Sequence, residues 1–464
     1  MEVLKDEPAA VFLDLTSRAT RGKRMTKLLD QEIEEDEMFW NQEALKSLSL
    51  STIMAGDDGE LPILSSNNED IIVEILSWLP VVSLLRFCCV CKSWRALITT
   101  PQFVAKHRAH TKDNNKNVLI LTKPDLPPPP APPSVSPLLI DYQSLKKNGA
   151  ACASASSSDI RSNHRDVEAE FPDDTGLNDS SLVGSCNGLI CLLLNPPIAY
   201  YEEYYENIRL LLWNPSTRTA RKLPDIDWFR YRPIYYGFGY DSTTQDYKVL
   251  LGSINYKDGF AAIFSLKAAS WKIVVDSLKP AASLYYSGRG CFLNGALHWN
   301  QRDSKKTTII RSFDFAQEKF HSFSSMRHKE YHWAGVGTIG NRLFFHTFCC
   351  HSSTITRPDF EDTGLTIWVM MEYGVDQSWT IFAKIRPEIY PPNVWSLNPL
   401  FLDDCALLME SDRGDLVLYM PKEDTCRIVL DNSDVEELRP SYSSGHAEMV
   451  MYVGTLVSPA TGGG

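Results

Sequence analysis

Residues 185–224 read SCNGLICLLLNPPIAYYEEYYENIRLLLWNPSTRTARKLP, and the fold assignment rests on the pattern they contain. An Asn-Gly pair at 187–188 precedes one apolar run, and a second apolar run at 210–213 is closed by the polar turn NPSTR. Asn-Gly supplies the positive φ angles that tight hairpins require, and short apolar runs bounded by turn residues predict buried strands. The segment therefore predicts antiparallel β-structure.

The same unit recurs four more times along the chain, at 236–274, 290–323, 337–382 and 405–430. A repeat of roughly 40–50 residues with several strands each is typical of a β-propeller or a related closed array. A large two-sheet sandwich is the alternative, because the repeats are irregular. In a propeller, the terminal run 450–457 would complete the sheet begun by an early strand and so close the ring.

The composition fits a folded chain of two or three domains. The 464 residues are 44% hydrophobic and include 20 Phe, 19 Tyr and 11 Trp, enough to bury a sizeable core. The net charge of −12 argues against direct nucleic-acid binding, which normally needs a basic face. Much of that charge is local, because residues 28–60 contain ten carboxylates and one lysine.

Changes in composition divide the chain into five zones of an α+β multidomain protein. The zones are a disordered acidic extension (1–66), a small helical domain (67–107), a linker (108–180), an all-β domain (181–458) and a disordered tail (459–464). The linker contains LPPPPAPP at 126–133 and ACASASSS at 151–158, which suit stiff and flexible spacers. Two short apolar runs, 118–121 and 138–142, are candidate early strands, and they would move the start of the β domain towards residue 115.

The helical domain has an apolar stripe at helical spacing, formed by Ile71, Ile72, Ile75, Leu76 and Leu79. Pro80 should end this first helix, and the serines at 83 and 93 could cap a second and a third helix. Three short helices cannot bury so much apolar surface among themselves. Another domain or another protein must cover the excess, and the periodicity alone does not decide between them.

The string E-I-L-x-x-L-P-x-x-S-L-L-R-F-x-x-V-C-K-S-W within 67–107 closely resembles the F-box family. The resemblance implies binding to the small Skp-type adaptor of cullin-based SCF ubiquitin ligases. Asn67 and Asn68 depart from the family pattern, which usually has Leu-Pro there. The resemblance implies these adaptor-binding residues: Ile71, Leu76, Leu79, Pro80, Leu84, Val90 and Trp94.

The β domain contains the strings CNGLICL, WNPSTR, GFGYDSTTQDYKV, LNGALHW and YV-x-x-LVSP, which resemble the kelch-like F-box-associated interaction domain of plants. The resemblance implies an SCF substrate adaptor whose loops bind a target protein of unknown identity. Aromatic-rich segments at 200–205, 228–236 and 390–395 are candidates for this surface, although each aromatic could equally be a core residue. The selected substrate-binding candidates are Tyr204, Trp228, Tyr231 and Trp395.

The sequence contains no recognisable catalytic or metal-binding pattern. H-E-x-x-H, G-x-S-x-G and G-x-x-x-x-G-K are absent, and we expect a non-catalytic subunit without cofactor or metal. The opening MEVLKDEPAA has no apolar run typical of a secretory signal, and residues 189–194 are too short to cross a bilayer. We therefore expect reduced, mostly buried cysteines and a cytoplasmic and/or nuclear protein without membrane contact.

Residues 12–46, FLDLTSRATRGKRMTKLLDQEIEEDEMFWNQEALK, follow a different pattern. They closely resemble the histone-binding segment of the chaperone subunit of SWR-type chromatin remodellers, and so offer an alternative function as a histone-dimer binder. Acidic side chains would steer towards the basic histone surface and aromatic ones would anchor there. A fusion of two gene models and an ordinary acidic tail are the other interpretations. The candidate histone-binding residues are Glu34, Glu35, Asp36, Phe39 and Trp40.

Overall fold

A computed structural model describes fourteen stretches of the chain. They are residues 66–111, 116–122, 138–142, 164–166, 180–194, 208–226, 235–254, 259–275, 288–302, 308–326, 333–349, 364–402, 406–430 and 447–460. The chain divides into two compact units between Phe103 and Val104. Within these described stretches, no helix has both the length and the apolar character needed to cross a membrane.

The first unit is helical. Its helices are α1 (Ser66–Ser77), α2 (Val81–Phe87) and α3 (Lys92–Ile98), and a fourth, α4 (Pro101–Thr111), begins in this unit and ends in the second. The rings of Phe87 on α2 and Trp94 on α3 meet edge to face with their centroids 5.2 Å apart. Three of the four helices agree with the sequence prediction, and the fourth is additional.

Two predicted helix caps are wrong. The second helix begins at Val81 rather than after Ser83, because Pro80 has the φ of −57° that prepares a helix start, and Ser83 is buried. The third begins at Lys92, where the Sγ of Cys91 accepts a hydrogen bond from the backbone N–H of Trp94. α4 was not predicted, although its start has a clear signal: Pro101 is the first helical residue, and the hydroxyl of Thr100 accepts the N–H of Phe103.

The second unit contains six four-stranded antiparallel sheets. The first sheet combines both ends of the unit and has the order β24-β1-β2-β3. Its strands are β1 (Lys116–Thr122), β2 (Leu138–Asp141), β3 (His164–Asp166) and β24 (Ala447–Val453). The candidate early strands at 118–121 and 138–142 thus correspond to β1 and β2.

The other five sheets follow one another along the chain, and their strands are consecutive. The second sheet has β4 (Ser181–Cys186), β5 (Leu189–Leu194), β6 (Arg209–Asn214) and β7 (Thr219–Lys222). The third has β8 (Tyr235–Asp241), β9 (Asp246–Ile254), β10 (Gly259–Ser265) and β11 (Ser270–Val275). The fourth has β12 (Cys291–Leu293), β13 (Ala296–Arg302), β14 (Thr308–Asp314) and β15 (Lys319–Met326). The fifth has β16 (Trp333–Ile339), β17 (Arg342–Cys349), β18 (Gly364–Met370) and β19 (Trp379–Ile385). The sixth has β20 (Leu397–Leu402), β21 (Leu407–Ser411), β22 (Leu416–Met420) and β23 (Thr425–Leu430).

The six sheets close into a ring, which confirms the predicted propeller and excludes the two-sheet sandwich. Each sheet contacts the next through its innermost strand, in the order β24, β4, β8, β12, β16, β20 and back to β24. A separate buried apolar cluster fills every gap between neighbouring sheets. In the gap between the first and second sheets, Tyr452 packs with Leu182 and Trp213, and all three are buried.

The turns that connect the strands follow the sequence signals. Asn187–Gly188 and Asn294–Gly295 have positive φ at both positions, as two-residue hairpins of this type require. Gly340 and Gly414 also have positive φ, in the β16–β17 and β21–β22 turns. The turn residues therefore set the register of the hairpins locally, before any contact between sheets is considered.

A buried hydrogen-bond network fastens the C-terminal end of the chain to the second sheet. The side-chain amide of Asn214 donates to the carbonyls of Thr455, at 3.0 Å, and Val457, at 2.7 Å. Its Oδ1 accepts from the hydroxyl of Tyr452 at 3.0 Å and from the N–H of Ser216 at 2.9 Å. Because Asn214 and Tyr452 are both almost fully buried, water cannot replace these bonds.

We expect Asn214→Ala to lower the free energy of unfolding by about 2–4 kcal/mol, because it removes the side-chain donor of two buried carbonyls and one partner of the buried Tyr452 hydroxyl. Tyr452→Phe should lower it by about 1–2 kcal/mol, because the phenol hydroxyl is lost together with its hydrogen bonds to Asn214 Oδ1 and to the N–H and hydroxyl of Ser216. Denaturant unfolding followed by circular dichroism measures both changes. The control is Asn398→Ala, at an exposed position in β20; equal stability of the Asn214 and Asn398 variants would contradict this role.

Candidate binding surfaces

The innermost strands of the ring begin at the same edge, which we call the entry face. Tyr236 near the start of β8 forms a parallel bridge with Arg289, which precedes β12. The second residue of β4, Leu182, donates its N–H to the carboxylate of Glu448, the second residue of β24. Glu410, near the end of β21, pairs with Asn398 near the start of β20. Residues from four different sheets therefore meet at this edge.

A cavity of about 160 Å³ lies at the entry face. The residues that line it are Leu182, Tyr236, Arg289, Glu410, Glu448 and Met449. Leu182 and Met449 are almost fully buried and provide apolar wall, whereas Glu410 and Glu448 are partly buried. Among the described lining residues, the charged groups are two carboxylates and one guanidinium group.

Backbone contacts hold the positively charged side of this cavity in place. Tyr236 donates its N–H to the carbonyl of Gly288 at 2.8 Å, and Gly290 donates its N–H back to the carbonyl of Tyr236 at 2.7 Å. The indole N–H of Trp299 donates to the same Tyr236 carbonyl at 3.2 Å. Because Arg289 lies between Gly288 and Gly290, the hydrogen bonds of these two glycines with Tyr236 fix the backbone of Arg289 relative to β8.

The two carboxylates differ in how they are held. Glu448 accepts the Leu182 N–H, whereas the carboxylate of Glu410 has no hydrogen bond or ion pair with any residue that the structure describes. Burial raises the pKa of the Glu410 carboxyl to about 7; Arg289 acts in the opposite direction and Glu448 adds to the rise. Glu410 therefore titrates near neutral pH and lacks a direct counterion.

Trp395 is a rigidly presented aromatic residue in the connection that leads into β20. Its side chain is 78% exposed, the largest exposed fraction among the large hydrophobic side chains described. Its backbone N–H and that of Ser396 both donate to Oδ1 of Asp412, and the N–H of Asp412 donates to the Ser396 carbonyl. Asp412 lies in the β21–β22 turn directly after Ser411, so these bonds join two loops on the entry face. An exposed aromatic on a fixed backbone is the arrangement expected of a binding anchor.

The remaining predicted substrate-binding residues lie outside the described residues. Tyr204 falls between β5 and β6, and Trp228 and Tyr231 fall between Ile226 and β8. The described residues that flank these segments lie at one end of the second sheet, because Ile208 and Ile226 form an antiparallel bridge there. One aromatic residue of the predicted segment 228–236 is not on the surface: Tyr235 is 2% exposed and packs against Trp299 and Phe320 in the core.

The predicted adaptor-binding residues of the helical unit separate into two groups. Leu76, Leu79 and Leu84 are almost fully buried, and Trp94 is partly buried against Phe87. Ile71, Pro80 and Val90 are exposed, with Ile71 at 49% and Val90 at 56%. Two further apolar side chains that were not predicted, Trp78 and Val82, are also exposed. The helical unit thus presents apolar surface to solvent around the predicted positions.

Three functional candidates were missed by sequence reasoning: Arg289, Glu410 and Glu448. A weak signal exists for two of them, because ALLMESD and AEMVMYV each place a glutamate within an otherwise apolar strand. No signal marks Arg289, which lies just outside a strand. The candidate histone-binding residues Glu34, Glu35, Asp36, Phe39 and Trp40 all lie outside the described residues.

Within the described part of the chain, no group of three or more His, Cys, Asp or Glu side chains is arranged to hold a metal ion. The cysteines whose burial is described are free thiols, but the prediction that they are mostly buried is wrong, because only two of the seven are buried. Cys186 and Cys191 are buried in the second sheet, but Cys89 is exposed at the end of α2, where the helical unit leaves one side open to solvent.

Comparison with known families identifies both units. The model of the F-box associated beta propeller domain matches residues 153–459, and that of the F-box domain matches residues 64–106. An F-box/kelch-repeat protein of Arabidopsis thaliana is 25% identical over 394 residues, covering 83% of this chain and 94% of the relative. The Arabidopsis F-box protein CPR1 is 27% identical over 347 residues, covering 69% of this chain and 73% of its own length.

A third similarity is short and much stronger. Subunit 2 of the SWR1 complex of Arabidopsis thaliana is 76% identical over 46 residues, which cover 10% of this chain and 12% of that subunit. The resemblance of residues 12–46 to a subunit of SWR-type remodellers is therefore confirmed at the level of sequence. It covers too little of either chain to describe the protein as a whole.

Proposed function

Because this chain belongs to the family of F-box proteins with an F-box-associated β-propeller domain, we propose that it is the substrate-recognition subunit of an SCF-type cullin ubiquitin ligase. The observation that carries the proposal is the combination of the two modules in one chain, a helical F-box and a closed propeller with a distinct entry face. The first module would bind the ligase and the second would bind the target. F-box relatives that match both modules support the same division.

The F-box would bind a Skp-type adaptor, and through it the cullin scaffold. The exposed apolar residues Ile71 and Val90 would contribute contact area, and Pro80 between α1 and α2 would lie within the same surface. The buried Leu76, Leu79 and Leu84 would instead hold the helices in the geometry that the adaptor recognises. Apolar anchors of this kind contribute most of the binding energy in such interfaces.

The propeller would bind the target protein at its entry face. Trp395 would be one anchor, and the aromatic-rich segments that contain Tyr204, Trp228 and Tyr231 would add to it. The proposed role is non-catalytic, because ubiquitin transfer is carried out by other subunits of such a ligase. It requires no cofactor and no direct contact with nucleic acid or membrane, and it suits a cytoplasmic and/or nuclear protein.

The double variant Ile71→Asp/Val90→Asp should abolish co-purification of a Skp-type adaptor with the full chain, because two charges would be placed in an apolar interface. The matched control is Ile273→Asp, at a 58% exposed position on β11 in the propeller. Pull-down of the adaptor measures the loss, and circular dichroism shows whether each variant still folds. Adaptor recovery at the wild-type level by the folded double variant would refute the proposed contact surface.

The similarity to the SWR1 subunit favours a second and narrower candidate function, histone-dimer binding through residues 12–46. A peptide of residues 10–46 should then bind histone dimers, and the binding should weaken with added salt, because its acidic run faces basic groups. Phe39→Ala together with Trp40→Ala should reduce affinity more than Glu35→Gln, which removes one charge among many. A peptide that shows no binding at low ionic strength would exclude this function.

A further inference from the structure

The described residues that line the entry-face cavity carry more negative than positive charge. Glu410 and Glu448 contribute two carboxylates, and Arg289 is the only cation among the lining residues that the structure describes. Glu448 already accepts a backbone N–H, but the carboxylate of Glu410 has no partner among the described residues. A largely desolvated carboxylate without a hydrogen bond is costly to keep ionised, and an entering cation would remove that cost.

The size and the walls of the cavity restrict what could enter. Its volume of about 160 Å³ is below the roughly 300–1,000 Å³ typical of sites for drug-sized ligands. It suits one side chain of a polypeptide rather than a helix or a bound cofactor. The apolar surfaces of Leu182 and Met449 would line the stem of a long side chain, while its charged end reaches the carboxylates.

We propose that this cavity receives a lysine or arginine side chain of the target polypeptide, with Glu410 as its ion-pair partner and Glu448 as the second carboxylate. This inference rests on the proposed function, because it assumes that the entry face binds the target. Arg289 would oppose a cation, but two carboxylates outnumber it. An acidic side chain would meet both carboxylates, and a neutral one would leave Glu410 unpaired, so both are disfavoured.

The proposed ion pair makes binding depend on pH. The groups that face Glu410 across the cavity are Arg289 before β12, Glu448 on β24 and Tyr236 on β8. A bound cation favours the ionised carboxylate, whereas the free cavity keeps the pKa of Glu410 near neutrality. Affinity for a basic peptide should therefore rise as the pH is raised from about 6 to about 8 and then level off.

The test uses the full chain bound to its adaptor, and peptide libraries that are randomised except for one fixed central residue. The fixed residue is lysine, arginine, norleucine or glutamate, so the probes differ in charge while lysine and norleucine share an aliphatic stem. Fluorescence anisotropy measures the affinity at several pH values. We expect the lysine and arginine libraries to bind about tenfold more tightly than the norleucine library, and the glutamate library to bind most weakly.

Glu410→Gln should remove both the preference for cations and its dependence on pH. It should not impair folding, because it replaces a carboxyl whose ionised form is disfavoured. The matched control, Glu423→Gln, lies in the β22–β23 turn of the same sheet, at the opposite end of β22 from the entry face, and should bind as the wild type does. Equal binding of the lysine and norleucine libraries, or a preference that survives in Glu410→Gln, would overturn the inference.

Trp395→Ala separates this inference from the proposed function. It should weaken all four libraries to a similar extent, because an aromatic anchor contributes to affinity without selecting charge. If binding depends on Trp395 but shows no preference for basic residues, the entry face still binds the target and only the role of the cavity is refuted. If no library binds while the adaptor still co-purifies, both the cavity and the face are refuted as a peptide site and the F-box role stands.

Discussion

The pairing of β24 with β1 is the contact on which the rest of the second unit depends. Seven consecutive residue pairs, from Lys116 with Val453 to Thr122 with Ala447, join strands from opposite ends of the unit. Without β24, the first sheet would lose its innermost strand, and the apolar cluster that includes Tyr452 would open to water. Pairing with β24 also covers the edge of β1, which would otherwise be exposed.

The same strand contributes two residues to the cavity at the entry face. Glu448 and Met449 line the cavity, and the Glu448 carboxylate accepts the N–H of Leu182 in the neighbouring sheet. Beyond β24, the chain continues into Thr455 and Val457, whose carbonyls accept from Asn214. Ring closure and formation of the cavity are therefore one event, because a chain that fails to place β24 has neither.

The sequence predicted the architecture well, because its signals are local. Asn-Gly turns and short apolar runs specify hairpins directly, and five of the six sheets correspond to the five repeats seen in the sequence. The remaining sheet, the first, is built from both ends of the unit, so it could be predicted only from the requirement that the ring closes. The predicted caps at Ser83 and Ser93 are wrong because Pro80 and Cys91 occupy the N-cap positions of α2 and α3. The helix α4 was missed although Pro101 marks its start.

The candidate site was less predictable, because it depends on contacts between strands that are distant in the chain. Glu410 and Glu448 are separated in the chain and become neighbours only when the ring closes, and Arg289 joins them through a bridge to β8. Trp395 was predicted from its residue type, but its fixed presentation depends on Asp412 in a different loop. In the helical unit, the resemblance supplied candidate adaptor-binding residues but could not separate the buried Leu76, Leu79 and Leu84 from the exposed Ile71 and Val90.

Amide hydrogen exchange of the full chain and of a chain that ends at residue 446 tests the central claim most directly. If pairing of β24 with β1 closes the ring, removing β24 should increase exchange in all six sheets together, including β9 and β14, which lie far from β24 in the strand order. Slow exchange that persists in the second to sixth sheets, with loss of protection only in β1, β2 and β3, would contradict the account.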